Sequence, residues 1–67
     1  MEVTNINQLI PFLTNGLSIS VNIGEEIGWL DMNVRGINLW ENCVYCNDAE
    51  WAGTPQWFFL KRTKIKI

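Results

Sequence analysis

Histidine is absent from this 67-residue chain, and its absence removes more chemistry than any residue present supplies. Ser-His-Asp and Cys-His catalysis are excluded, as are histidine-based metal hydrolases. No Gly-x-x-x-x-Gly-Lys or Gly-x-Gly-x-x-Gly run exists to cradle phosphates, and Gly24-Glu25-Glu26-Ile27-Gly28 puts two carboxylates where a phosphate would sit. Glu25/Glu26 and Asp48/Glu50 could serve paired-carboxylate chemistry, but a chain this short can scarcely enclose a sugar cleft, so no enzyme activity and no cofactor are expected. Charged residues are scarce too, 18% against 48% hydrophobic, a balance that belongs to a folded chain rather than a disordered one. No apolar run approaches the roughly 20 residues needed to cross a bilayer. No basic stretch precedes an apolar one, so neither a membrane span nor a secretory leader is expected. The default setting is the reducing cytoplasm.

Two cysteines are too few for a disulfide scaffold. Cys43 and Cys46 form a Cys-x-x-Cys pair, but structural zinc needs four ligands and a catalytic site three. Asp48 or Glu50 could complete a set, or two chains could pool their pairs across a dimer. Redox motifs of this spacing open a helix, whose dipole lowers the first thiol's pKa, whereas Asn42, Val44 and Tyr45 favour a strand. Positions 43 and 46 of a strand point to opposite faces, which strains a local disulfide. Both cysteines are expected to be small buried residues, with no metal bound.

What remains is apolar patterning in a single domain spanning residues 1–67. Ile6, Leu9, Ile10 and Leu13 follow the spacing of one helical face over residues 4–16. Asn5 and Gln8 fit a capping box and Gly16 a left-handed stop, while Pro11 predicts a kink or a helix of two to three turns. Residues 17–23 alternate, with Leu17, Ile19, Val21 and Ile23 inward and Ser18, Ser20 and Asn22 outward, as in a half-buried strand. A turn at Gly24-Glu25-Glu26 leads to a second strand over residues 27–34. Arg35-Gly36 reads as another tight turn, and residues 37–46 as a third strand that Glu41-Asn42 could bulge or turn. A loop at 47–55 precedes a last strand over 56–67. The fold class predicted is α+β: one short N-terminal helix packed on a small, mostly antiparallel sheet of about four strands.

Charge is segregated. Residues 1–60 carry seven acids against Arg35 alone, a balance of −6, whereas Lys61, Arg62, Lys64 and Lys66 crowd the last seven positions. Four tryptophans exceed what so small a core readily buries. Trp29 lies opposite the Leu30/Met32/Val34 face and Trp51 sits in a polar loop, while Trp40 and Trp57 read as core. Tryptophan often anchors interfaces, so Trp29, Trp51, Asp48, Glu50, Glu25 and Glu26 are the candidate partner-binding residues. For Trp51 the competing reading is a loop folded back over the sheet. The basic tail beside Trp57, Phe58 and Phe59 matches the recipe of a single-strand nucleic-acid binder through Lys61, Arg62, Lys64 and Lys66, although the acidic body repels phosphate and lysine also guards sheet edges.

A helix from Ile6 to Gly16, a strand from Leu17 to Ile23 and Trp-bearing strands after it resemble, in general outline, small phage-encoded inhibitors of host defence, including anti-CRISPR-type proteins. The resemblance is one of type and transfers no functional residue. It implies a cytoplasmic, non-catalytic module that occludes a host protein, such as a nucleic-acid-binding effector, with a Trp anchor in a pocket and Glu and Asp against a basic groove. Nucleic-acid binding by the basic tail is the second expectation. A structural or assembly subunit is the third, its Ile65/Ile67 edge extending a sheet into a neighbour or a homodimer.

Overall fold

In the computed structural model, which describes residues 1–16, 18–50 and 53–67, the chain opens with a 3-10 segment, Ile6–Leu9, continued as α1, Ile10–Asn15. Five strands follow: β1 (Ser18–Asn22), β2 (Trp29–Asn38), β3 (Cys43–Asp48), β4 (Gln56–Phe59) and β5 (Ile65–Lys66). All pairings are antiparallel, in the order β4-β3-β2-β1-β5. The fold is α+β, with one short N-terminal helical unit on the sheet.

The capping box is present: Asn5 caps the first turn, and Gln8 Oε1 accepts from the N–H of Thr4 (2.8 Å) and of Asn5 (3.1 Å). Pro11 causes no internal break because α1 restarts at Ile10, placing the proline in a first turn where a missing donor costs nothing. Gly16 ends the helix at φ 68°, where a side chain would strain the backbone. The buried face differs from the predicted one. Ile6 and Leu9 are fully buried and Phe12 packs against the core, whereas Ile10 and Leu13 are exposed. A 3-10 turn holds three residues rather than 3.6, so positions 6, 9 and 12 line up and position 10 rotates outward.

Strand alternation survives in β1, where Ile19 and Val21 are buried opposite Ser18, Ser20 and Asn22; Leu17 falls outside the described residues. The expected turn at Arg35-Gly36 is instead a bulge inside β2. Val34 pairs with Cys46 and Gly36 with Tyr45, so Arg35 is the extra residue and Ile37 regains the inner face against Val44. The reversal comes later, at residues 39–42.

The last strand also differs from expectation. After β4, Arg62 N and Thr63 N both donate to Phe59 O (2.9 Å each), coiling the chain before β5 pairs with β1 at the opposite edge. That link is short. A flat sheet would hold β4 and β5 about 19 Å apart, yet the coil and two further residues span only about 13 Å. The sheet therefore rolls, and Ile23 after β1 and Phe58 of β4 line one concavity. Inside the roll, Ile6, Leu9, Ile19, Val21, Met32, Val44, Cys46 and Ile65 form the core with Val3. Truncating Ile6 or Leu9 to alanine is worth about 2–5 kcal/mol, close to the whole stability of a domain this small.

The outer edge of β5 is covered. Val3 N donates to Ile65 O (2.7 Å), Ile67 N donates to Met1 O (2.8 Å), and Glu2 bridges Lys66. Extending the sheet from Ile65/Ile67 into a neighbour requires this segment to leave first.

Candidate functional site

The strand β2 carries ten residues, roughly 30 Å of extended chain, in a molecule whose longest dimension is 29 Å. Its two ends therefore lie at opposite extremes of the fold. Each presents a tryptophan.

At the first end, alternation turns Trp29 and Asp31 outward, opposite Leu30 and Met32. Ile27, Trp29, Leu30, Asp31, Asp48 and Glu50 line a concavity of about 360 Å³. Three of its lining residues are apolar and three carry carboxylates. Asp31 Oδ1 accepts from Ser20 Oγ at 3.2 Å, and Asp48 Oδ1 accepts from the Glu50 N–H at 2.7 Å, which fixes two of the three. These carboxylates are not gathered as a metal site: among the described residues no group of three or more His, Cys, Asp or Glu could hold an ion. Ile27, 63% exposed, sits in the β1–β2 turn with exposed Glu25 and Glu26. The ammonium of Lys66 lies 4.3 Å from the Trp29 ring centroid, a cation–π contact reaching across β1 from β5.

Of the residues singled out from sequence, Trp29, Asp48 and Glu50 thus meet at one concavity. Glu25 and Glu26 stand on the neighbouring turn without lining it, and Trp51 lies outside the described residues. The basic tail does not form one strand. Lys66 is drawn to Trp29, Lys61 and Arg62 lie in the turn after β4, and Lys64 and Arg62 line a separate concavity with Asn22 and Phe58. Arg62 stacks over the Phe59 ring at 5.8 Å.

At the other end of β2, the hairpin tip carries Leu39 and Trp40, which are 56% and 96% exposed. Sequence reading assigned Trp40 to the core, and the bulge is what corrects it: by carrying β2 on to Asn38, the bulge delivers residues 39–42 to the turn. The tip is held at its base. Glu41 N donates to Asn38 Oδ1 (3.0 Å), and Asn42 adopts φ 57°, a left-handed conformation that asparagine tolerates. Asn42 Oδ1 accepts from Ile6 N (3.1 Å), satisfying a donor that the first helical turn leaves open. Asn42 O accepts from Leu60 N (3.2 Å). The hairpin is tied to both the helix and the turn after β4. The Asn38 and Asn42 pair bracketing Leu39-Trp40-Glu41 is the turn signal present in the sequence.

Trp57, also expected in the core, is exposed on β4, with its ring 4.9 Å from that of Tyr45 at 35°. Cys43 and Cys46 are both buried and free on β3. Cys46 belongs to the core cluster, and burial pushes its thiol up to about 12. The Cys43 thiol is also raised, by burial first and then by the Glu41 charge. Neither has the depressed pKa of a reactive thiol.

Comparison with protein-family models, with curated proteins and with solved structures found no match. No helix among the described residues is long and apolar enough to cross a membrane.

Proposed function

We propose that this chain is a small, non-catalytic protein-binding module. It acts by occluding a surface of its target, the mode of the phage and mobile-element inhibitors of host defence that its size and composition resemble. The observation that carries the reading is Trp40, 96% exposed on a turn held by hydrogen bonds at Asn38 and Asn42. An indole left in water forgoes the gain of burying some 150–250 Å² of aromatic surface. The fold also fixes its position in advance, which lowers the ordering cost of docking. A partner that receives it presents an apolar pocket, and the acidic far end of β2 favours a target surface bearing positive charge.

Nucleic-acid binding remains the second reading. Lys61, Arg62 and Lys64 are exposed around the turn after β4, with Arg62 stacked on Phe59. The two readings separate on salt. A protein partner anchored by Trp40 survives a high-salt wash and is lost with Trp40→Ala. Nucleic acid leaves as salt rises, through counterion release, and is lost with Lys61→Glu/Arg62→Glu while Trp40→Ala retains it.

A further inference from the structure

Trp29 and Trp40 end the same strand, yet only Trp29 has a cation on its face. We infer that the concavity beside Trp29 is a seat for a lysine or arginine side chain of the partner, and that Lys66, held on the Trp29 ring in the free protein, weakens that seat. The inference rests on the protein-binding reading and adds the class of group recognised.

Three observations meet at this place. The apolar lining residues Ile27, Trp29 and Leu30 suit the aliphatic stem of a lysine or arginine, and the lining carboxylates of Asp31, Asp48 and Glu50 suit its charged head. The Trp29 ring already attracts an ammonium, since Lys66 Nζ lies 4.3 Å from its centroid although the Lys66 backbone pairs with Ser20, on the next strand over. The body of the chain complements a basic partner: seven acids stand against Arg35 alone across residues 1–60. Lys66 does not itself line the concavity; it acts on an entering cation through the shared Trp29 ring and through its own like charge.

The test needs no identified partner. Heptalysine is titrated into the ¹⁵N-labelled full chain at low salt, with the Trp29 and Trp40 indole N–H signals followed separately. The Trp29 signal is expected to shift and saturate while that of Trp40 stays fixed. Lys66→Met and Lys64→Met remove the same charge, but only the first vacates the Trp29 face. Lys66→Met is expected to tighten heptalysine binding by about two- to fivefold more than Lys64→Met does, the factor equivalent to the ~0.5–1 kcal/mol of an exposed cation–π contact. Asp31→Asn is expected to weaken binding with the amide spectrum unchanged. Equal effects of the two lysine variants would reduce the site to long-range charge and overturn the inference, as would a Trp29 signal that never moves. Either failure leaves the Trp40 reading standing, because target capture by the hairpin is scored separately.

Discussion

The two ends of β2 solve the same problem in opposite ways. At one end Trp29 is 39% exposed, lines a concavity with Ile27 and Leu30, and carries the ammonium of Lys66 on its ring. At the other, Trp40 is 96% exposed, and the hydrogen bonds that hold the turn are made by its neighbours, Glu41 to Asn38 and Ile6 to Asn42. Contacts within the fold therefore account for Trp29, whereas the Trp40 side chain stands almost wholly in solvent among the described residues. A small domain gains little stability from an indole placed at a turn tip, so its value lies in what it meets outside. The comparison also separates roles: Trp40 supplies apolar anchoring, and the Trp29 end supplies charge recognition.

The largest effect expected from breaking this contrast is at the hairpin. Trp40→Ala is expected to weaken target binding at least about 30-fold, the ~2 kcal/mol or more of an interface hot spot, while chemical denaturation shifts by no more than ~0.5 kcal/mol. A large loss of stability would instead place Trp40 in the core. The next largest effect concerns β3, the dry strand between the two ends. Burial raises the Cys46 thiol from 9.0 to about 12, so the unfolded chain releases that proton first. The associated stability is fully present below about pH 9 and is lost by ~1.4 kcal/mol per pH unit as pH rises toward 12. Urea denaturation of the native protein and of Cys46→Ala at pH 8 and 10.5 checks this. Between these pH values the native protein should lose about 2 kcal/mol more than Cys46→Ala does, and equal losses would mean that water reaches the thiol.

Asn42→Ala is expected to cost about 1–2 kcal/mol, since alanine disfavours φ 57° and the Ile6 donor loses its acceptor. Asn42→Gly should recover the backbone part alone, which denaturation of the three proteins resolves. The smallest effect sharpens the other end: Lys66→Met should change stability by less than about 1 kcal/mol, because its contact with Trp29 is solvent-facing. A thermal melt that drops by more than a few degrees would show that Lys66 holds β5 in place.

Local features of the fold were legible in the sequence, and tertiary ones were not. The Asn5/Gln8 box, the Gly16 stop and the alternation of Ile19 and Val21 depend on neighbours along the chain, so spacing reveals them. The rotation of Ile10 out of the core depends on a 3-10 start, which is set by how Ile6 and Leu9 reach the inner face of the sheet. The bulge at Arg35 is marked only by Gly36, which a tight turn uses as readily, and the coil at residues 60–63 carries no distinctive residue of its own. Both are fixed by pairing partners, Cys46 and Tyr45 in one case and Phe59 and Asn42 in the other. Misplacing the turn at Arg35-Gly36 had the costliest consequence, because it kept Trp40 inside a strand. At the candidate site, the outward position of Trp29 followed from alternation. Its meeting with Asp48 and Glu50 required the register between β2 and β3, in which Met32 faces Asp48.

The most direct test of the central claim is a paired affinity capture. Tagged native protein, Trp40→Ala and Trp57→Ala are exposed to a lysate of the cells in which the protein acts, washed at high salt, and compared by quantitative mass spectrometry. The expected result is one stoichiometric protein held by the native chain and by Trp57→Ala but lost from Trp40→Ala. Capture of the same protein by all three, or recovery of the chain alone, would contradict a hairpin anchor built for a protein partner.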